Sequence, residues 1–418
     1  MKLRFLGGTR EVGRAAVAIK TKQTQLLLDY GVMIGSEPGF PMHVPSNEVD
    51  AIILTHSHLD HSGAIPIFHI GGQKPVYGTQ LSFDLASLLI SDLIHLTGYY
   101  LPFEYIELQS MIRNCVHLDY RQEQTIGDIH LRLLDAGHIP GSAQVLVEAN
   151  EKRVLYTSDY NTVDTRLLHG ADRDYGKLDA LVIESTYADE EHSSRIALEK
   201  EFVERVNEVV EDGGTVLVPA FSVGRSQEIA CTLAAYHFEH SVVMDGMARK
   251  VNRMIMNRTT YVRDPQLFMN AMHAVTWSAG WKDRRAASRR PGVIISPAGM
   301  LKGGPAAFYI QKIGKKQRNA VFLVSYQIPG TPGRELLEKG RCAIDGKIRK
   351  VKAKVEHFDF SSHCGAGELK ETVKQLEGNP VVYVIHGAEE NCERFARWIR
   401  EETGLEAIAP KVGDRYIA

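Results

Sequence analysis

The stretch His56-Ser57-His58-Leu59-Asp60-His61-Ser62-Gly63 follows directly on the apolar run Ala51-Ile52-Ile53-Leu54, with Thr55 between them. Two imidazoles stand two residues apart; a carboxylate and a third imidazole follow two and three residues on. Where a strand turns into a helix, such side chains can face a common centre. Neutral imidazole and carboxylate suit Zn2+, with bonds of about 2.0–2.2 Å. The cluster is read as metal-binding.

Outward from it, the chain repeats one pattern: an apolar run, then a polar residue of chemical interest. LRFL (3–6), AAVAI (15–19), QLLLDYG (25–31) and AIIL (51–54) read as short buried strands bounded by turn formers. Strands return at 129–135, 144–149, 153–157 and 179–183, and a first long helix is predicted over 79–98. The runs lead into Asp29, His56, His138, Asp159 and Glu184, and a late one, VVYVIHG (381–387), leads into His386. Rigid strands carrying ligands at their ends are a common site architecture. His138, Asp159 and His386 complete two metal sites with the cluster. His56, His58 and His138 form one, Asp60, His61 and His386 the other, and Asp159 bridges them.

The style changes near residue 190. A charged helix over about 193–212 ends at Gly213-Gly214 and leads into TVLVPAF (215–221). VVMD (242–245), GVIIS (292–296) and AVFLVS (320–325) continue a strand–loop–helix alternation, which predicts a parallel-sheet α/β unit. No Pro/Ser-rich linker separates it from its flanks, so it reads as an insertion.

Four of these stretches, HSHLDHSGAIP (56–66), DAGHIPGS (135–142), YTSDYN (156–161) and VIHG (384–387), resemble the motifs of the metallo-β-lactamase superfamily. Asp29 in LLLDYG matches that superfamily's first motif, whose aspartate supports the ligands from behind. The resemblance implies an αββα sandwich. The 226 residues between Asp159 and His386 carry Glu184-Ser185-Thr186-Tyr187, VPAFSVGRSQE (218–228), SPAGMLKGG (296–304), SYQIPGTPGR (325–334) and FSSHC (360–364), which resemble the β-CASP nucleases. The implied fold is therefore that sandwich with an inserted α/β β-CASP domain: 1–190 and 356–418 for the sandwich, 191–355 for the insertion.

In the terms of that family, Glu184, His363 and His386 are motifs A, B and C, and a histidine at motif C implies RNA as substrate. The opening GGTREVGRAA (7–16) is similar to the archaeal cleavage-and-polyadenylation type, with ribonuclease J a close relative. Six residues precede Gly7 and 32 follow His386, so the expectation is a nuclease core without KH domains. Ala188 stands where the family usually has glycine, and Ser362 and Cys364 flank His363 where alanine is commoner.

The chemistry expected is two-metal hydrolysis of a phosphodiester with two Zn2+ (or Mn2+), a hydroxide shared by the ions as nucleophile, and products ending in 3′-hydroxyl and 5′-phosphate. His363 is the general acid, Glu184 fixes its tautomer, and Asp60 belongs with them at the centre. Arg225, Ser296, Lys302, Tyr326 and Arg334, in or beside glycine-rich turns, are the expected substrate contacts. The substrate expected is single-stranded RNA, cut internally with 5′→3′ trimming also open. The alternatives are a ribonuclease J-like exoribonuclease and an inactive RNA-binding scaffold subunit; a small-molecule zinc hydrolase fits the long insertion poorly. A homodimer and further RNA-processing or RNA-decay proteins are the partners implied by analogy.

Bulk composition sets the frame. The 418 residues are 44% hydrophobic and 24% charged, which argues against disorder, and net charge is −2. The distribution is uneven: residues 281–354 hold 18 Lys and Arg against 4 Asp and Glu, while the remainder holds 31 against 47. A basic segment in an otherwise acidic chain is the footprint of a surface that meets phosphates. Five scattered cysteines without a CxxC pair read as reduced thiols, and so as cytoplasmic. MKLRFLGGTREVGR has no signal-like apolar region, and LASLLISDLIHL (85–96) carries Asp92 and His95, so no membrane is expected.

Overall fold

The computed structural model describes residues 1–417 apart from Ser36, residues 97–99, Pro329 and Asp345. The chain divides into two compact units. One comprises residues 1–164, 170–191 and 362–418; the other comprises 165–169 and 192–361.

The first unit contains two seven-stranded sheets. In order, one holds the strands Arg415–Ile417, Lys2–Gly7, Ala16–Lys20, Gln25–Leu28, Ala51–Ile53, Val76–Gly78 and Cys115–His117. The other holds Ala407–Ile408, Val381–Ile385, Ala180–Glu184, Lys152–Tyr156, Ala143–Ala149, Ile129–Asp135 and Glu123–Ile126. Successive side chains on a strand point to opposite faces, and the apolar residues sort accordingly. Leu3, Phe5, Leu26, Leu28 and Ile53 share one core with Leu131, Leu133, Val145, Val147, Tyr156 and Val182 of the other sheet. On the outer face of the first sheet, Leu6, Leu27, Ile52 and Leu54 pack with Phe83, Ala86 and Ile90 of the helix Gln80–Leu96. On the outer face of the second, Leu181, Ile183, Val382 and Val384 pack with Leu369 and Val373 of the helix Ala366–Lys374 and with Phe395 and Ile399 of Glu389–Thr403. The layers are helix, sheet, sheet, helix: the expected αββα sandwich, whose strands are apolar on both faces because both faces are covered.

The second unit is an α/β layer with a six-stranded, all-parallel sheet: Thr276–Trp277, Val242–Met244, Gly292–Ser296, Thr215–Pro219, Ala320–Leu323 and Lys354–His357. A separate antiparallel pair, Arg341–Ile344 with Lys347–Lys350, stands beside it. All five cysteines are free thiols. Among the described residues, no helix is long and apolar enough to cross a membrane.

Candidate metal centre

The predicted ligands arrive at one edge of the sandwich because the strands end there. Asp29 follows the strand Gln25–Leu28, His56 follows Ala51–Ile53, His138 follows Ile129–Asp135 and Asp159 follows Lys152–Tyr156. Glu184 closes Ala180–Glu184, and His386 follows Val381–Ile385. His58 caps the one-turn helix Leu59–Ser62, which carries Asp60 and His61. That turn is set close against the strand end. A Cβ at Gly31 would lie 1.7 Å from the carbonyl oxygen of Asp60, while Ala15 N–H donates to that oxygen at 2.7 Å and Tyr30 N–H to the His61 oxygen at 2.9 Å. Glycine at position 31 is a packing requirement. Asp29, Ser158 and His386 hold φ values of 56°, 54° and 49°. Such left-handed geometry at non-glycine residues is costly and gathers where a site needs it.

Three groups of ligand atoms lie within 4.8 Å of one another: His56, His58, His138 and Asp159; Asp60, His61, Asp159 and His386; and Asp159, Glu184 and His363. Asp159 is common to all three. Its Oδ2 lies 3.6 Å from His56 Nε2 and 3.7 Å from His138 Nε2; its Oδ1 lies 3.3 Å from His61 Nε2 and 3.2 Å from His386 Nδ1. Asp60 Oδ2 is 3.6 Å from His386 Nε2. These separations bring lone pairs together without satisfying them. His56 Nε2, His61 Nε2, His386 Nε2 and Asp159 Oδ1 are buried without a hydrogen-bond partner. Orphaned buried polar atoms are rare and each asks for an explanation. Imidazole nitrogens and carboxylate oxygens aimed at shared points are the donor set of divalent zinc, so the residues fit a metal.

The ligands are oriented from behind. Asp29 Oδ2 accepts from Thr55 Oγ1 at 2.8 Å and Tyr156 OH at 3.1 Å and faces His61 Nδ1 at 2.8 Å, while its Oδ1 accepts from Thr55 N–H at 2.9 Å. That contact places the His61 proton on Nδ1 and leaves the Nε2 lone pair for a cation. His138 Nδ1 is likewise held by the Ser362 carbonyl at 2.8 Å, and Thr55 Oγ1 lies 3.2 Å from His56 Nδ1. His386 N–H donates to Gly8 O at 2.7 Å, which ties the last ligand to the first glycine turn. Burial pushes His56 and His138 well below the usual imidazole range, helped by His61 beside the first and His363 beside the second, so both present neutral rings.

His363 Nδ1 sits 2.8 and 3.0 Å from the two Glu184 oxygens. Glu184 is itself fixed, its Oε1 accepting from Tyr160 N–H at 2.9 Å. The His363 ring packs on His138, with centroids 4.5 Å apart, and keeps 19% of its side-chain surface open. Burial alone would lower its pKa, but Glu184 and then Asp159 more than offset that and lift it to about 9.

Of the expected substrate residues, none belongs to this cluster; all five lie in the second unit. They do share a location. Arg225, Ser296, Lys302, Tyr326 and Arg334 stand at or beyond the carboxyl ends of three neighbouring parallel strands, Thr215–Pro219, Gly292–Ser296 and Ala320–Leu323. That edge is where open α/β sheets bind ligands. Lys302 is exposed and Tyr326 is 42% exposed. Arg225 and Ser296 are buried, and Arg334 pairs with Glu338 at 2.6 Å. Sequence reading missed Thr55, Tyr156, Ser158 and the Ser362 carbonyl. Thr55 and Ser158 each sit beside a ligand in the strand-end motifs, which was the available signal; Tyr156 and the carbonyl act only through space.

Family models match three successive parts of the chain. They describe a metallo-beta-lactamase superfamily domain (residues 19–186), a Beta-Casp domain (226–336) and a Zn-dependent metallo-hydrolase RNA specificity domain (348–410). RNase aCSPSF2 of Saccharolobus solfataricus is 39% identical over 98% of this chain and 84% of its own length. The probable RNase MJ4 of Methanocaldococcus jannaschii is 36% identical over 99% of both. The transcription termination factor FttA of Methanothermobacter thermautotrophicus is 33% identical over 92% of this chain and 67% of its own. A crystal structure of a protein of unknown function from Enterococcus faecalis V583 superposes with a TM-score of 0.63 at 14% identity, covering 100% of this chain and 99% of that one, a likeness of fold alone. With sandwich, parallel-sheet unit and strand-end cluster all in place, the chain belongs to the β-CASP branch of the metallo-β-lactamase superfamily.

Proposed function

We propose that the chain is a metal-dependent ribonuclease that hydrolyses internal phosphodiester bonds of single-stranded RNA. The observation that carries this reading is the Glu184–His363 pair set against the double ligand cluster through Asp159. Two divalent cations would be held by His56, His58 and His138 and by Asp60, His61 and His386, with Asp159 between them. When bound, they supply Lewis-acid neutralisation of the phosphate and activation of water near neutral pH.

The chain's own residues do the rest. Glu184 occupies His363 Nδ1, so the ring's remaining nitrogen, Nε2, is the one left to deliver a proton to the departing ribose oxygen. The pair needs no rearrangement to do so, because Tyr160 N–H already fixes the carboxylate. Relatives named as RNases support RNA as the substrate class, as does the family description of residues 348–410 as an RNA specificity domain. The exposed Lys302 and Tyr326 at the sheet edge are suited to gripping a phosphate and a base.

The deciding experiment uses internally labelled single-stranded RNA with 5′-hydroxyl, monophosphate or triphosphate ends. Wild type, Asp60→Ala, His363→Ala and a chelator-treated sample run side by side. Internal cuts present only in untreated wild type support the reading. A mononucleotide ladder that requires a 5′-monophosphate would move it to a 5′→3′ exoribonuclease. Intact RNA throughout, with two zinc ions bound per chain, would sink it.

A further inference from the structure

Part of the chain's basic surplus lies on a hairpin of the second unit. The strands Arg341–Ile344 and Lys347–Lys350 pair antiparallel, with Arg341 opposite Lys350, Cys342 opposite Arg349, Ala343 opposite Ile348 and Ile344 opposite Lys347. Cys342 and Ile344 are buried in one cluster with Leu336, Tyr309, Val351 and Ala353, which anchors the hairpin to its unit. All of Lys347–Lys350 is exposed, and Ile348 is 70% exposed.

The hairpin's charge is not neutralised. Residues 341–352 hold Arg341, Lys347, Arg349, Lys350 and Lys352 against the single acid Asp345. The adjoining helix Pro332–Lys339 has no acid to spare, because Glu335 pairs with Lys339 at 2.8 Å and Glu338 with Arg334 at 2.6 Å. Glu356, further along, pairs with Lys354 at 2.7 Å. Among the described residues, none of the five hairpin cations has an ion-pair partner. Like charges directly opposite on a strand pair are destabilising, and Arg341 faces Lys350. An uncompensated surplus on an exposed strand is what a polyanion would complete. Arg341 and Lys350 lie on the outer face with Ile348, while Arg349 and Lys347 stand opposite Cys342 and Ile344 on the anchored face and are exposed at its rim.

We propose that the hairpin is a second RNA-binding surface, which grips the sugar–phosphate backbone of the substrate and takes no part in bond cleavage. This rests on the ribonuclease reading above. Its energetics are those of counterion release, so it carries no sequence preference and weakens with salt.

The test compares wild type with Lys347→Ala/Arg349→Ala/Lys350→Ala in the full chain. The charge-conserving Lys347→Arg/Lys350→Arg serves as rescue, and thermal melts confirm that each folds. Binding of labelled single-stranded RNAs of 8 and 40 nucleotides is followed by anisotropy across a salt series with chelator present, and cleavage of both follows with metal restored. Three lost contacts at about 0.7 each should reduce the slope of log affinity against log salt by about 2 for the 40-mer. KM for the 40-mer should rise about 10-fold at low salt with kcat unchanged, and the rescue variant should match wild type. An unchanged slope and KM on the 40-mer overturns the proposal. So does a triple variant that loses only its binding to polyglutamate, which assigns the surface to an acidic protein. A hairpin-dependent slope in a wild-type protein that cuts neither RNA leaves the surface standing and removes the ribonuclease reading; cutting with an unchanged slope does the reverse.

Discussion

Asp159 and Glu228 are both buried carboxylates, 2% and 4% exposed, and they are buried for opposite reasons. Glu228, in the parallel-sheet unit, has its cation built into the chain. Arg195 Nη2 pairs with its Oε1, Arg166 N–H donates to the same oxygen at 3.1 Å, and Leu167 N–H donates to Oε2 at 2.8 Å. Asp159, in the sandwich, is ringed by His56, His61, His138 and His386, and its Oδ1 finds no hydrogen-bond donor. A satisfied buried acid holds structure. An unsatisfied one, among imidazoles at 3.2–3.7 Å, is arranged for charge that arrives from outside.

The comparison breaks most visibly at Asp159. Asp159→Asn should lower bound metal below two ions per chain, measured by elemental analysis. It should also reduce RNA cleavage by ~10^4-fold or more, as for residues that act as one unit. Full metal content in that variant would undo the bridging role. His363→Ala should leave metal content intact and lower kcat by about 10^2–10^4-fold. Glu184→Gln should fall between it and wild type, because the glutamine still accepts from Tyr160 N–H but no longer carries the charge that holds the imidazolium.

Glu228→Gln should do the reverse of Asp159→Asn. Breaking a buried pair from one side costs about 3–5 kcal/mol, read by urea unfolding, while the folded fraction keeps its metal. The pH dependence has a definite sign. Burial works to raise the Glu228 pKa, but Arg195 and the two backbone donors overcome it and hold the carboxyl below its usual range. The stability it contributes is therefore present above the unfolded value, about 4.3, and is lost as pH falls through the lower folded value. The stability gap between wild type and Glu228→Gln should be constant from about pH 6 to 8 and close below about pH 4.

The candidate ligand cluster was legible in sequence because four of its residues crowd into His56–His61 and the others each follow an apolar run. Strand periodicity and ligand chemistry are local properties, and local properties survive in a linear string. The αββα layering was legible only through the resemblance, since nothing local says that Arg415–Ile417 pairs with Lys2–Gly7 across the whole chain. The predicted helix over 79–98 holds as Gln80–Leu96, with 97–99 outside the described residues. What stayed hidden is what acts across sequence. Tyr156 and Thr55 meet on Asp29, Ser362 reaches His138 from 224 residues away, and Arg195 finds Glu228 on another helix. Exposed Lys302 and half-exposed Tyr326 were legible only as residues in glycine-rich turns, because exposed positions impose few constraints on neighbouring sequence.

The smallest of these effects falls on Asp29, and it separates orientation from ligation. Asp29 reaches no metal-facing nitrogen; it faces His61 Nδ1 at 2.8 Å while Thr55 and Tyr156 donate to the same oxygen. Only an acceptor at that point keeps the His61 proton on Nδ1 and the Nε2 lone pair free. An asparagine has one accepting atom for four donors. If its amide nitrogen turns toward His61, the imidazole must accept at Nδ1 and carry its proton on Nε2, where the cation belongs. Asp29→Asn should then weaken metal binding by ~10–100-fold, measured against a competing chelator, with kcat restored once metal is raised to saturation. Unchanged affinity would mean that His61 is held in place without its contact to Asp29. A kcat that stays low at saturating metal would give Asp29 a part in the chemistry itself.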